Sequence, residues 1–348
     1  MLNQSTNSET YEYKWARGAD GYDLQIDYLI EGILPAKSFG VVYGPSGSYK
    51  SFFIMGLAAH IASGTQWDAR KVKKTGVLYV VAEGGIGAPR RVKAWEKANL
   101  NGKTLDNFFV INEPVHIANH QSLKRLEATI KNIEATQSVK IELVIFDTLA
   151  RCFNGADENS TKDMNYFISG CDMLKASMDV TVLVVHHTGK DEKGTARGSS
   201  ALRAACDFEF KVSRGENSAV SPSLILSCEK MKDDQPLPDQ AYNLKPTYIF
   251  TNDEGKAIYS LVVDSASSEV EQQESKKSVT LTSAQASLWE IVRSRSASGE
   301  STTREVVRDD YKALGLPMNN FSRSVQQLID KALLEQRDGQ LFCQSQSH

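Results

Sequence analysis

Gly44-Pro45-Ser46-Gly47-Ser48-Tyr49-Lys50-Ser51 stands directly after the apolar run Ser38-Phe39-Gly40-Val41-Val42-Tyr43 and before a second apolar run, Phe52 to Ile61. Buried strand, small-residue loop, Lys-Ser and helix follow one another in the order that a phosphate-binding loop needs. Glycines let backbone N–H groups curl around a polyphosphate, and the helix N-terminus adds the positive end of its dipole. Residues Gly44 to Phe52 are therefore the candidate nucleotide cradle. Within it Lys50 is placed to reach the β- and γ-phosphates and Ser51 to hold Mg²⁺ through its hydroxyl. One position departs from the pattern: Tyr49 stands where glycine usually precedes the lysine.

Outward from this loop, strand-like and helical stretches alternate from about Leu34 to Val212, which argues for an α/β fold with a mainly parallel sheet covered on both faces. The predicted strands are 38–43, 76–82, 108–111, 142–147, 180–185 and 207–212, rich in Val, Ile and Leu. Amphipathic stretches such as Gln121–Ala135 and Thr161–Ser177 lie between them. After Val212 the runs 223–228, 246–251 and 257–263 predict short antiparallel strands at the sheet edge, the last two joined by a turn at Asn252-Asp253-Glu254-Gly255.

Asp264 to Ser278 holds Ser, Glu, Gln and Lys with almost nothing apolar, and reads as a linker. Beyond it, helices are expected from Ser283, over Thr302–Leu314 and over Asn319–Leu334, followed by a hairpin turning at Asp338-Gly339. Three helices and a hairpin predict a winged-helix domain. The expected organisation is an N-terminal arm (1–21), an ATPase domain (22–264), a linker (265–279) and the winged helix (280–344).

Four later features narrow the chemistry. Strand 76–82 runs into Ala82-Glu83-Gly84-Gly85, where the Glu83 carboxylate can polarise an attacking water. Leu143-Val144-Ile145-Phe146-Asp147-Thr148 is an apolar strand ending in an acid, which places Asp147 to hold the Mg²⁺ shell. Val182-Leu183-Val184-Val185-His186-His187 brings two histidines to the next strand end, of which one faces the nucleotide because side chains alternate along a strand. Arg197-Gly198-Ser199-Ser200-Ala201-Leu202-Arg203 follows a polar loop containing Lys190 and Lys193.

With these features in order, the chain resembles the RecA-like hexameric ATPases, and within them the RepA-type replicative helicases of plasmids and phages. The resemblance covers roughly residues 22–265 and includes Cys228-Glu229-Lys230-Met231-Lys232-Asp233 after strand 223–228. It implies ATP and Mg²⁺ as ligands, Glu83 as catalytic carboxylate and His187 as the phosphate sensor. The Lys230-x-Lys232 pair resembles the Lys-x-Arg that related ring helicases insert into a neighbour's site. Lys232, Lys230, Arg203 and Arg197 are the candidates for that finger, in this order. The loop 188–197 corresponds to the channel loop that grips single-stranded DNA, with Lys190, Lys193 and Arg197 as phosphate contacts.

A net charge of −3 over 348 residues gives no overall nucleic-acid signature, so any basic surface is local. The polar start, Met1 to Thr10, and the lack of a long apolar run predict a cytoplasmic protein without a membrane partner. Five scattered cysteines form no C-x-x-C pair and read as reduced thiols. Residues 280–342 carry eight Lys/Arg and eight Asp/Glu. That balance leaves two readings of the winged helix open. It binds duplex DNA through Asn319, Asn320, Arg323, Gln326 and Gln327, or it docks a primase, initiator or loader.

The expected function is a ring-forming, Mg²⁺-ATP-dependent motor, a hexamer by the resemblance, that translocates on single-stranded DNA as a replicative helicase. The main alternative is a non-unwinding ATPase of the same fold, such as a helicase loader, recombination mediator or KaiC-like regulator. A P-loop small-molecule kinase fits less well, because the chain has no lid pattern.

Overall fold

The structure is a computed structural model, and it describes residues 16–82, 85–153, 157–158, 160–187, 200–215, 222–269, 282–315, 318–331 and 333–343. The chain divides into two compact units, Met1–Val270 and Glu271–His348.

The first unit opens with a small antiparallel pair, β1 (Tyr28–Ile30) and β2 (Leu34–Pro35), that the sequence pattern did not predict. The alternating core follows: β3 (Phe39–Gly44), α1 (Lys50–Ser63), β4 (Gly76–Val81), α2 (Gly87–Asn99), β5 (Phe108–Ile111), α3 (His120–Gln137), β6 (Ile141–Asp147), α4 (Thr161–Met178), β7 (Thr181–His187), α5 (Ser200–Ala205) and β8 (Phe208–Arg214). The edge is built from β9 (Ser223–Met231), β10 (Gln240–Thr251) and β11 (Ala257–Glu269).

All nine of these larger strands form one sheet in the order β11-β10-β9-β8-β3-β7-β6-β4-β5. From β8 to β5 neighbouring strands run parallel, and β9, β10 and β11 extend the β8 edge antiparallel. Alternate residues of the parallel strands enter two separate cores. Tyr79, Ile145 and Leu183 join Phe53, Trp67 and Trp95 from the α1–α2 side. Leu78, Val144 and Val184 join Leu126, Phe167 and Leu174 from α3 and α4. Burial on both faces explains why these strands read as continuous apolar runs. A large, mostly parallel sheet covered on both faces is the expected α/β architecture.

The edge strands differ from expectation, being 9, 12 and 13 residues long. β11 takes in residues 264–269, which the composition assigned to the linker. Their partners explain it: Gln240, Ala241 and Tyr242 pair with Glu269, Ser268 and Ser267, and the Ser267 hydroxyl lies 2.6 Å from Asp68 Oδ2 and 2.7 Å from Gln240 Oε1, donating its one proton between them. Backbone pairing and hydroxyl bonds hold a stretch that has few apolar side chains to bury. Residues 270–281 lie outside the described residues.

The second unit contains α6 (Ser283–Ala297), α7 (Arg304–Ala313), α8 (Phe321–Asp330) and the hairpin β12 (Leu334–Arg337) and β13 (Gln340–Cys343). A capping box starts α6, with Thr282 and Gln285 each satisfying the other's backbone N–H. Leu288, Val292, Val307, Tyr311, Val325, Leu328 and Leu341 make its own core. α8 is shorter than the predicted 319–334. A 3₁₀ turn occupies Met318–Asn320, and at the other end Leu333 N–H closes back on Leu328 O (2.9 Å), sending Leu334 into the hairpin.

Candidate functional site

The carboxyl ends of β3, β7, β6 and β4 line one edge of the sheet, where open parallel sheets bind ligands. β3 turns there into the Gly44–Tyr49 loop. A Cβ on Gly44 would lie 2.0 Å from the Val212 carbonyl oxygen, so this position admits only glycine. Lys50 is the first residue of α1 and is buried. Its Nζ donates to Gly44 O (2.8 Å) and Pro45 O (2.7 Å), folding the ammonium against the loop. The first turn of α1 carries no acidic side chain, so nothing there opposes an anion at the helix N-terminus.

Tyr49 adopts φ 68° and ψ 15°, the left-handed conformation that glycine serves in the usual pattern. For an L-residue with a side chain this costs about 1–2 kcal/mol. Two contacts from the end of β8 face that cost. Arg214 Nε donates to Gly47 O (2.8 Å), and its guanidinium lies 5.1 Å from the Tyr49 ring centroid. An exposed cation–π contact contributes about 0.5–1 kcal/mol and a net hydrogen bond about 1 kcal/mol, enough together to offset the strain. The sequence reading missed Arg214, because its place beside the loop follows only from β8 pairing with β3.

Asp147 ends β6 opposite Val81 of β4 and Val185 of β7, and it is buried. Tyr79 Oη donates to Asp147 Oδ2 at 2.7 Å. Complete burial, and then the Asp147 charge, push the Tyr79 phenol well above its ordinary value, so it remains a donor. His186 and His187 sit level with Tyr43 and Gly44 on the neighbouring strand; His186 is buried and His187 half-buried. The structure thus brings Lys50, Asp147 and both histidines to one edge. Glu83 lies outside the described residues.

Lys230, Lys232 and Arg203 are at the opposite end of the sheet. Lys230 pairs across from Glu209, which is level with Val41, and Lys232 N–H bonds to Asp207 O beyond the start of β8. Phe39, whose carbonyl accepts from Asp207 N–H, is five residues before Gly44. At about 3.3 Å per residue, Lys232 is roughly 17 Å along the sheet from its own phosphate loop. Lys230 Nζ donates to the carbonyls of Arg203 (3.0 Å), Ala204 (3.2 Å) and Cys206 (2.6 Å). It closes the C-terminus of α5, which leaves it poorly suited to reach another subunit. Arg203 pairs with Glu209 (2.9 Å); burial pushes that carboxyl up while the guanidinium works against the shift. Lys232 is exposed, with Asp207 at 3.5 Å.

Of the candidate DNA contacts, Lys190, Lys193 and Arg197 lie outside the described residues. Arg323 is exposed on α8, as is Gln326, which donates to Asp330 (2.9 Å). Gln327 does not join them. It is half-buried and accepts from Gln285 Nε2 (2.8 Å), because the α6 capping box draws it into the unit's interior.

An AAA-domain family model matches residues 7–193, more than half of the chain, spanning the loop, Asp147 and both histidines. The chain belongs to this AAA-domain family. Proteins of this P-loop ATPase class use ATP and Mg²⁺. The chemistry of the AAA-domain site fits both: loop amides and the Lys50 ammonium suit a polyphosphate, while the Ser51 hydroxyl and Asp147 carboxylate suit a hard divalent cation. No curated protein matches the chain. Among solved structures it is similar to the RadB recombinase, at 16% identity and a TM-score of 0.44, over 60% of this chain and 88% of that one. Among the described residues, no helix is long and apolar enough to cross a membrane.

Proposed function

We propose that the chain is an ATP-driven motor that assembles as a ring, a hexamer in the RepA-type resemblance, and translocates on single-stranded DNA as a replicative helicase. One observation carries this reading. Lys232, the first candidate to complete an ATPase site, is exposed at the far end of the sheet, roughly 17 Å from its own phosphate loop, so a part in ATP hydrolysis would require a neighbouring subunit's site.

In this reading Lys50 and the amides of Gly44 to Phe52 hold the phosphates, and Ser51 and Asp147 hold Mg²⁺. The metal, when bound, neutralises charge on the phosphate oxygens. Tyr79 keeps the Asp147 carboxylate oriented. Glu83 accepts a proton from the attacking water, and His187 senses the γ-phosphate from the adjoining strand end. Lys232 of one subunit reaches the site of the next; Lys230 drops behind it, since its ammonium is engaged on three carbonyls. Arg203 and Arg197 follow. Lys190, Lys193 and Arg197 grip single-stranded DNA, and residues 280–344 form a winged helix. Its exposed Arg323 suits duplex phosphates, and a primase, initiator or loader is the rival partner.

Strand displacement measured beside DNA-stimulated ATP hydrolysis tests this. Stimulation by single strands together with unwinding supports the helicase. ATP hydrolysis without unwinding, in the assembled oligomer, assigns the chain to the loaders, mediators and KaiC-like regulators of the same fold.

A further inference from the structure

Four side chains from three separated parts of the chain stack in sequence across the phosphate loop. The Arg214 guanidinium lies 5.1 Å from the Tyr49 ring centroid, the Tyr49 and Phe52 rings meet edge-on at 6.2 Å, and the Arg91 guanidinium lies 4.8 Å from the Phe52 centroid. Cation, ring, ring and cation thus alternate from the end of β8, through the loop and α1, to α2. Arg214 also bonds Gly47 O, so it touches both loop residues with positive φ on the side of Lys50, Gly47 (φ 74°) and Tyr49 (φ 68°). Neither arginine has a carboxylate partner among the described residues.

We propose that Arg214 is a positioning residue of the phosphate loop, holding Tyr49 in the left-handed conformation that orients the loop amides and thereby setting nucleotide affinity. The inference rests on the reading of this loop as an ATP site. The physical need is local. A tyrosine released from its stack relaxes towards negative φ, and the N–H groups on either side of it turn away from a common centre. Glycine at position 49 has no such tendency, so it has no use for the clamp.

The test is a double-mutant cycle read by titration with a fluorescent ATP analogue on the full chain. Arg214→Ala should weaken binding about tenfold, the size of a left-handed backbone penalty. Tyr49→Gly alters the cradle itself, so its own affinity is the reference for the second arm of the cycle. In the Tyr49→Gly background, Arg214→Ala should cost almost nothing. Arg214→Lys keeps the charge but loses the planar stack, so it should behave like Arg214→Ala. It also carries the test if Arg214→Ala does not fold.

Three outcomes overturn the inference: unchanged affinity in Arg214→Ala, a loss that persists in the Tyr49→Gly background, or full affinity in Arg214→Lys. The second would make Arg214 act through Gly47 O or on the nucleotide itself rather than through Tyr49, and the third would make it a charge acting on the phosphates. Failure of the unsubstituted chain to bind the analogue would instead remove the ATP reading itself, and this inference with it.

Discussion

Two lysines at opposite ends of one sheet make nearly the same contacts and mean different things. Lys50 Nζ rests on two carbonyls of the loop it starts from, Gly44 and Pro45. Lys230 Nζ rests on three carbonyls at the C-terminus of α5. Helix-end carbonyls have no intrahelical donor and carry partial negative charge, so Lys230 completes something the fold needs. Of the carbonyls under Lys50, Pro45 O already accepts from Ser48 N–H (3.2 Å), and the pair lies beside a helix N-terminus free of acid. A lysine can therefore be read as structural or functional only from what its partners would lack without it.

The largest effect that sharpens this contrast is Lys50→Ala, which should abolish ATP binding in a titration while leaving the fold intact by circular dichroism. Substantial residual affinity would remove the distinction between the two ends. Next come Lys232→Ala and Glu83→Gln. Each should keep nucleotide affinity and cut turnover strongly, because the groups act on the transition state rather than the ground state. Mixed subunits of the two variants should recover some turnover at interfaces where each contributes its intact half. Mixtures no better than the sum of the separate variants would break the shared-site reading.

Lys230→Ala should do the reverse. It should lower stability by about 1–2 kcal/mol in a denaturant titration, with little change in affinity. A loss of turnover without loss of stability would move Lys230 back to the functional side.

The smallest effect concerns His60, in the last turn of α1, which packs between Trp67 (5.1 Å) and Trp95 (5.2 Å). Burial holds its imidazole below the ordinary value of about 6.5. The unfolded chain then binds a proton first as pH falls. The stability His60 contributes is complete above about 6.5 and declines as pH drops from there towards the folded pKa. His60→Leu should flatten that limb of the stability–pH curve, measured by thermal unfolding; an unchanged limb would place the titrating group elsewhere.

Much of the phosphate end was legible in the chain itself. Gly44 to Ser51 declares a strand-loop-helix within a dozen residues, and Asp147 and the histidine pair stand at ends of apolar runs. The far end was not, since Lys230 and Lys232 look alike as letters. The second unit shows the same limit: Gln327 shares its helix with Arg323 and Gln326, yet a partner on α6 takes it out of the exposed set.

What the sequence by itself determined is the chemistry that a short stretch encodes: a cradle of small residues, a lysine, a hydroxyl, and strands apolar enough to be buried on both faces. Tertiary structure decided three things. It extended β11 through Ser-rich residues by pairing them with Gln240–Tyr242, it engaged Lys230 on α5, and it returned Arg214 to Gly47, 167 residues away. The reason is range. Backbone conformation and strand burial follow from neighbours along the chain, whereas strand order and register alone decide which distant side chain meets the loop.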